Sequence, residues 1–555
     1  MNYPLLALAT LAIGAGAFAF ASRTGRYALA ATVGGGAVFW LHSLRYLRYT
    51  SDDSYISYRY ARNLADGFGL VWNRGEHVEG YTNFLWVVIL AGLNKAGADL
   101  VLSGRWLGFA FGVAAIGGTY VLTRALDREA TGRIAGFVAA LLLGASGPFA
   151  AWGTAGLETS LFAVLLIAAV LAHIREQEGA APPLSGALWA LLMMTHPAGI
   201  VPFAVSAAFK CGEAAARFRR AERAARTREV RSLGIWLAAF ALIFVPYFAW
   251  RYATYGWLFP NTYYAKVGFG IDQYARGLLY ANTFMQEYGM WILLAAPVAL
   301  LAGAIRRPPA AYVLAIVAAT FAYIVYVGGD GLTRYRFFAP VLPLIYALAS
   351  ASAATLARRL DGWDHAVRRF APAAACGAVA AFVLFTLQAS PGDSVIPLER
   401  VTVQERVDMG RWMRDNLPSN TVVAVVPAGS IPYESRLLSI DMLGLNDEHI
   451  AHHRVDQPSV IVGHEKYDSE YVLGRRPEII ILNDHLTPAP WRLSDYDVLR
   501  AQLIRAIPDM LQAPRLLEEY EPRSVEISEG GWFNLFVRRD AAAVLASTVA
   551  PPAER

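Results

Sequence analysis

Charged residues are scarce in this chain of 555 residues. Only 17% of them are charged, whereas 56% are hydrophobic, and the mean hydropathy is +0.36. Soluble domains are about 25% charged and about 45–50% apolar, because charged side chains cover their surface. The shortage of charge excludes a soluble globular protein and a disordered chain, and it predicts a protein that crosses a membrane many times.

Cysteine is nearly absent, and internal repeats and low-complexity segments are missing. The two cysteines, Cys211 and Cys376, lie in different segments and outside any CxxC or metal-ligand spacing, which excludes a disulfide scaffold. The net charge is +5, but in a membrane protein the positive-inside rule explains clustered Arg and Lys. Nucleic acid is therefore not expected as a partner.

Apolar runs near the length of about 20 residues that crosses a bilayer predict the membrane spans. Residues 1–20 lack the basic start of a signal peptide, so this run is predicted as a first span. The run 183–209 is interrupted at His196–Gly199 and predicts two half-spanning helices that line a cavity, whereas 81–97 predicts a helix on the membrane surface. With these half-helices the chain is expected to make about twelve crossings, the other spans being 2–21, 27–45, 104–123, 132–149, 157–173, 232–250, 289–305, 310–327, 336–356 and 371–389.

The distribution of Arg and Lys predicts the orientation of these spans. Clusters of basic residues mark the cytoplasmic loops. The remaining loops and everything after 390 are then expected on the opposite face, with both termini outside. The basic loops are 22–26, 124–133, 210–231, 305–309 and 358–369.

The composition changes after the last predicted span. Strand-like runs at Thr421–Val426, Glu478–Leu482 and Trp532–Val537 alternate with amphipathic stretches such as Val401–Asn416, which predicts an α/β domain. The predicted organisation is a polytopic α-helical membrane domain over 1–391, which includes a first outer loop at 46–103, followed by an extracytoplasmic α/β domain over 392–541 and a flexible tail over 542–555.

Two adjacent carboxylates, Asp52 and Asp53, follow directly after a predicted span. Acids held at a membrane boundary are costly to desolvate, so they are candidates for a general base that activates a hydroxyl. If the protein uses a divalent cation (Mg²⁺, Mn²⁺ or Ca²⁺), either acid is a candidate ligand. The alternative is a helix N-cap by Ser51 or Asp52, which explains one acid but does not require two.

Further polar side chains on the same predicted face are candidates for substrate contacts. Glu79, Tyr81 and Asn83 lie at the start of the surface helix, and Glu158 lies at the outer end of a span. His196 lies in the break of the interrupted run. Ordinary capping, turn chemistry and a hydrogen-bonded structural histidine are the alternatives.

Cationic and aromatic residues just outside one span suggest a phosphate site. The segment from 251 to 266 contains Arg251, Asn261, Tyr264 and Lys266, whose charges and amide suit a lipid phosphate. The alternative for its aromatic residues is an interfacial belt.

A second pair of cations and a histidine–glutamate pair complete the candidates. Arg334 and Arg336 follow Asp330 on the face that is poor in positive charge, and this exception predicts that they bind an anion. In the α/β domain, His464 and Glu465 are candidate ligands, although adjacent residues lack the i, i+4 spacing of a helical metal site. The alternative is a loop that packs onto the membrane part.

Together these segments resemble the GT-C class of membrane glycosyltransferases, which use polyprenyl-phosphate sugars. More narrowly, the region from about 46 to 540 resembles a bacterial subfamily related to the mycobacterial terminal β-(1→2)-arabinofuranosyltransferases. The stretches that carry the resemblance are DDSYISYRYARNLADGFGLVWN, VEGYTNFLW, GLETSLF, GWLFPNTYYAK, GGDGLTRYRFFAPVLP, IPYESRLLSIDMLGLNDEHIA and GHEKYD.

The resemblance implies an inverting enzyme in the bacterial inner membrane. It makes Asp52 or Asp53 the base, puts Glu158, Asn261 and Lys266 at the donor cavity, and puts Arg334 and Arg336 near the phosphate. The implied partners are the lipid bilayer, a polyprenyl-phosphate donor of D-arabinofuranose and an envelope glycan acceptor. A protein O-glycosyltransferase and a transporter or flippase of lipid-linked sugars are the alternatives.

Overall fold

The chain forms two compact units. The computed structural model describes residues 3–220, 223–266, 271–302, 308–359, 392–455, 461 and 463–541. The first unit, here the helical unit, comprises Met1–Arg48, Gly104–Trp250 and Gly270–Asp393. The second, here the α/β unit, comprises Tyr49–Ser103, Arg251–Phe269 and Ser394–Arg555. Most of the predicted first outer loop, from Tyr49 to Ser103, is grouped in the α/β unit together with the strands of the C-terminal part.

The helical unit is built from α-helices with short 3₁₀ segments at Pro197–Gly199 and Arg336–Val341. Two of its helices, Leu100–Leu126 and Arg223–Tyr255, have one end in the α/β unit. The remaining described helices are Tyr3–Thr24, Tyr27–Ser43, Thr131–Gly144, Gly147–Trp152, Thr159–Gln177, Ser185–Thr195, Ile200–Arg220, Ile271–Glu287, Met290–Ala302, Pro308–Tyr326 and Leu342–Arg359.

Six helical segments among the described residues are long and apolar enough to cross a membrane. They coincide with predicted spans, and the chain is a multi-pass membrane protein. The predicted spans 27–45 and 132–149 contain shorter helices of 17 and 14 residues, and the predicted span 371–389 lies outside the described residues. The six segments are Pro4–Thr24, Leu100–Leu126, Thr159–Gln177, Arg226–Tyr255, Pro308–Tyr326 and Arg336–Arg358.

The helix break lies at the predicted position. His196 has an extended backbone (φ −162°, ψ 137°), as expected for a residue before proline. The helix before it has 11 residues, but the helix after it has 21, so only the first is as short as predicted.

The α/β unit is centred on a five-stranded mixed sheet. The strands are β1 (Val422–Val425), β2 (Leu438–Asp441), β3 (Ile479–Ile481), β4 (Tyr520–Ser528) and β5 (Gly531–Arg538), in the order β2-β1-β3-β5-β4. β2, β1 and β3 are parallel, whereas β5 pairs antiparallel with β3 and β4. The helices and 3₁₀ segment of this unit are Asp52–Ala65, Phe84–Lys95, Asn261–Lys266, Gly392–Asn416, Ser430–Ser435, Glu448–His452, Ser469–Gly474, Leu493–Ala501, Ala506–Gln512 and Pro514–Glu519.

Apolar side chains cover both faces of the sheet because the strands alternate with a period of two. Ala424 and Ile480 belong to one buried cluster, whereas their neighbours Val423, Val425 and Ile479 belong to another. Continuous apolar runs are expected for strands buried on both faces. The prediction located β1, β3 and β5 and missed β2 and β4.

Candidate functional site

Asp52 is held by two hydrogen bonds and one ion pair within the α/β unit. Ser51 is the N-cap residue of the helix Asp52–Ala65, so both acids lie in its first turn. Asp52 Oδ1 accepts hydrogen bonds from the Ser430 backbone N–H (3.0 Å) and the Ser430 hydroxyl (2.5 Å). The Arg406 guanidinium lies 3.6 Å from the same oxygen. This carboxylate therefore anchors the helix.

The approach of Asp52 depends on a glycine. A Cβ on Gly429 would collide with the Asp52 carbonyl oxygen and with its carboxylate. Arg406 also pairs with Asp484, which stabilises its charge beside Asp52.

The neighbouring acid, Asp53, is half-buried and one residue further along the first turn of the helix. Burial, then Glu399, and to a smaller extent the charge of Asp53 raise the pKa of Tyr49. Asp52 therefore lies against Ser430, and Asp53 lies close enough to Tyr49 to influence it.

The anchoring contacts lie at one edge of the sheet. Ser430 follows β1, Asn446 follows β2 and Asp484 follows β3. Tyr60, two turns along the helix from Asp52, contacts the Asn446 side chain through its hydroxyl at 3.3 Å. Since these strands are parallel, all three loops leave from their carboxyl ends, where open α/β sheets bind ligands.

Arg59 adds a buried connection between the same segments. Its guanidinium donates to the backbone oxygens of Trp72 (2.7 Å), Leu437 (2.8 Å) and Pro432, and to Asn73 Oδ1 (2.9 Å). No local sequence pattern marks Arg59, Arg406 or Ser430, since their roles depend on contacts between residues more than 340 positions apart.

Glu79 and Arg251 form a buried ion pair. Arg251 Nη2 lies 2.5 Å from Glu79 Oε2, and Nε donates to Oε1 at 2.9 Å. The two side chains are 4% and 3% exposed. Arg251 also donates to the backbone oxygens of Trp257 and Leu258. The pair therefore holds the segment from 251 to 261 against the loop that contains Glu79, and a substrate contact at either residue stays a prediction.

Three more candidates are buried with protein partners. The Tyr81 hydroxyl bonds the Tyr255 hydroxyl (3.1 Å), and the Asn83 amide donates to Ser57 (3.0 Å). The Asn261 amide donates to the backbone oxygens of residues 444, 445 and 447 at 2.8–3.2 Å. These contacts stabilise the loops, and the predicted ligand contacts of these residues remain untested.

Lys266 and Tyr264 lie near the segments after β2. The Lys266 stem passes within 3.4 Å of the position of a Cβ on Gly463, next to His464 and the buried Glu465. The Tyr264 ring lies 4.3 Å from the His452 ring. Lys266 and Tyr264, two candidates for the phosphate site, therefore lie close to segments that follow β2 in the α/β unit.

In the helical unit, the backbone is strained at the two residues before Arg336. Arg334 and Tyr335 have φ values of 60° and 51°, a left-handed conformation that costs about 1–3 kcal/mol per residue and often marks a functional site. Arg336 is bonded to Asp330 at 2.8 and 3.1 Å. Arg334 is buried and donates to the Tyr288 hydroxyl at 3.1 Å.

The last two candidates lie at helix starts in the helical unit. Glu158 is the half-buried N-cap residue of Thr159–Gln177. His196 caps the 3₁₀ segment through Nδ1, which accepts from Ala198 N–H at 3.1 Å. This contact matches the structural alternative for the histidine.

Asp52 Oδ1 is not open to a divalent cation, because two hydrogen-bond donors and the Arg406 guanidinium already face this oxygen. A cation bound through Asp53 stays a prediction. Within the described residues, the group of three side chains with suitable ligand spacing lies elsewhere, at His449, His453 and Asp468. This group is not among the residues predicted from the sequence, although the i, i+4 spacing of His449 and His453 is a recognisable signal.

Comparison with known proteins gives one curated relative. The chain is 29% identical over 287 residues to the terminal β-(1→2)-arabinofuranosyltransferase of Mycobacterium tuberculosis. The aligned region covers 47% of this chain and 42% of that protein. The chain therefore matches less than half the length of this relative. A family model described as a domain of unknown function (DUF8728) matches residues 398–531.

Solved structures establish the architecture. ArnT from Cupriavidus metallidurans in the apo state has a TM-score of 0.54 and 13% identity, over 93% of this chain and 98% of ArnT. The chain has the GT-C fold. ArnT bound to undecaprenyl phosphate gives 0.51 at 13% identity, over 74% of this chain and 85% of ArnT. The oligosaccharyltransferase AglB from Archaeoglobus fulgidus, with an inhibitory peptide and a dolichol-phosphate, gives 0.52 at 13% identity, over 90% and 73%.

Proposed function

We propose that this protein is an inverting glycosyltransferase. It transfers a sugar from a polyprenyl-phosphate donor to a hydroxyl of an envelope glycan on the extracytoplasmic face of the bacterial inner membrane. The paired acids, anchored at the carboxyl edge of the parallel strands in a GT-C protein, carry this proposal. The lipid phosphates bound to ArnT and AglB support the donor class, and the curated relative supports D-arabinofuranose as the sugar.

Asp53 is the better candidate for the general base. Asp52 Oδ1 already accepts two hydrogen bonds and faces Arg406, so this oxygen is engaged by protein partners and is not the one offered to an acceptor hydroxyl. Asp53 follows it in the same helical turn, where the anchor fixes its backbone. Asp52 then acts as a positioning residue for Asp53.

The reaction is a single displacement. Asp53 takes the proton of the acceptor hydroxyl while the oxygen forms a bond to the anomeric carbon. The bond between that carbon and the phosphate oxygen breaks, and polyprenyl monophosphate leaves with the electron pair. Lys266, in the same unit as the acids, is assigned to the charge of the phosphate, because a preorganised cation stabilises such an anion strongly. Arg334 and Arg336 stay candidates from the sequence. No step requires a cation at Asp52.

The direct test uses purified protein in liposomes. It is incubated with polyprenyl-phosphate arabinofuranose, mannose, glucose or aminoarabinose and with an arabinan or a peptide acceptor, and the products undergo linkage analysis. The proposal predicts transfer of arabinofuranose to the arabinan, with inversion and loss of activity in the Asp52→Asn/Asp53→Asn variant. Transfer to the peptide would support a protein glycosyltransferase, whereas donor movement across the bilayer without a product would contradict an enzyme.

A further inference from the structure

A cavity of about 730 Å³ lies within the α/β unit, and Asn446, which follows β2, forms part of its wall. Four histidines contribute to its wall: His77, His449, His452 and His453. The protein has only 10 histidines, so this concentration calls for an explanation.

Two of these histidines lie on one helical face. His449 belongs to the helix Glu448–His452, and His453 follows as its C-cap, with its backbone N–H bonded to the His449 oxygen at 2.9 Å. The i, i+4 spacing places both imidazoles on the same side. Their rings are 5.8 Å apart and nearly parallel, at 23°.

Both imidazoles point at one carboxylate oxygen. His449 Nε2 lies 2.9 Å and His453 Nδ1 3.4 Å from Asp468 Oδ2. The other oxygen of Asp468 caps the helix Ser469–Gly474 by accepting from Tyr471 N–H at 3.0 Å. The cap thus orients the carboxylate and leaves Oδ2 to the histidines.

We propose that His449, His453 and Asp468 form a binding site for Zn²⁺. The three ligand atoms lie within 4.8 Å of one another. In a tetrahedral site with bonds of about 2.0–2.1 Å, ligand atoms are about 3.3 Å apart, so the two measured separations suit an ion with small adjustments. Two imidazoles and one carboxylate select zinc over Mg²⁺ or Ca²⁺, which prefer oxygen ligands.

The surroundings support a preformed and accessible site. The His449 ring stacks on Tyr471 at 4.0 Å, and Tyr471 in turn accepts a hydrogen bond from Arg475. These contacts restrict the imidazole, as outer-shell partners of metal ligands do. His449 and His453 are 48% and 40% exposed. Three protein ligands leave the fourth position to water or to a group in the cavity, as in open zinc sites.

The test measures zinc directly and does not depend on transferase activity. Purified full-length protein without a histidine tag is stripped with a chelator, and Zn²⁺ binding is followed by equilibrium dialysis with metal analysis. Binding of Co²⁺ is followed by visible absorption, which reports the coordination number. The site predicts one saturable equivalent of Zn²⁺ per chain and the intense absorption of tetrahedral Co²⁺.

The variants are His449→Ala, His453→Ala and Asp468→Asn. Each should raise the Zn²⁺ dissociation constant by at least about 100-fold, since even outer-shell changes weaken zinc by about 10–100-fold. Asp468→Asn keeps an N-capping oxygen, so its thermal midpoint in chelator should match that of the parent. His485→Asn is the matched control, because His485 also lies 3.2 Å from a carboxylate, that of Glu405.

Two outcomes would overturn the site. One is the absence of saturable Zn²⁺ binding to the parent protein. The other is retention of the bound equivalent in all three variants, which would mean that the histidines are only hydrogen-bonded to Asp468.

Discussion

The buried pair of Glu79 and Arg251 gives a prediction that separates a structural role from a ligand contact. Glu79→Gln keeps the size of the side chain but removes the charge that faces Arg251 at 2.5 Å. Removing one partner of a buried pair typically costs about 3–5 kcal/mol. Arg251 keeps its bonds to the oxygens of Trp257 and Leu258, so we expect the lower end, about 3 kcal/mol.

The reciprocal variant adds a dependence on pH. Burial raises the pKa of Glu79 to about 7, above its value in an unfolded chain. In Arg251→Met the carboxyl loses its cation, and its pKa rises further. The folded variant then binds the proton more tightly than its unfolded chain does. Compared with the parent protein, the variant should therefore lose little stability below about pH 5, and the loss should grow as the pH rises through about 7.

The assay is hydrogen exchange followed by mass spectrometry in detergent. The reporter is the backbone N–H of Asn261, which donates to the Glu79 backbone oxygen at 3.0 Å. A loss of about 3 kcal/mol corresponds to exchange about 100-fold faster, if this segment opens locally. The double variant Glu79→Gln/Arg251→Met should lose less stability than the sum of the losses in the two single variants. Glu178→Gln, at an exposed ion pair with Arg128, is the control and should change stability by no more than about 1 kcal/mol.

One result would refute the structural role. If Glu79→Gln left exchange at Asn261 unchanged but abolished binding of a polyprenyl-phosphate sugar, Glu79 would contact the substrate.

Three further predictions follow from the α/β unit. Arg59→Lys should cost at least about 2 kcal/mol, measured by chemical unfolding, because lysine cannot reach all the buried acceptors that Arg59 serves. Gly429→Ala should displace Asp52 and lower transfer activity together with the thermal midpoint, whereas Gly474→Ala, where nothing lies within 4 Å of the new Cβ, should not. Burial raises the pKa of Asp441 to about 6, so stability relative to Asp441→Asn should be highest below about pH 4 and should fall as the pH rises through about 6, measured as the thermal midpoint.

Local patterns were sufficient to predict the six long apolar helices among the described residues and three of the five strands. The run Thr421–Val426 contains β1, and the break at His196 follows from the proline after it. β2 was missed because its four residues lie within a loop-like sequence, and β4 because Pro522 and charged residues interrupt its pattern.

The candidate site was predictable only in part. The position of Asp52 and Asp53 at a helix start follows from the sequence, but the anchor depends on Ser430, which is 378 residues away. Likewise, no local sequence pattern indicates that Glu79 and Arg251 form an ion pair. Contacts of this kind are set by tertiary packing, on which periodicity and motif spacing give no information.

The most direct test of the proposed function is the single-turnover rate of sugar transfer in Asp53→Asn and Asp52→Asn, measured beside donor binding. If Asp53 is the base, its variant should bind the donor normally and transfer sugar about 10²–10⁴-fold more slowly. Asp52→Asn keeps an oxygen that can accept the hydrogen bonds from Ser430. The transfer rate of this variant should therefore fall by less than about 10-fold, which is smaller than the effect of losing a general base. Full transfer by Asp53→Asn would contradict the assignment of the base.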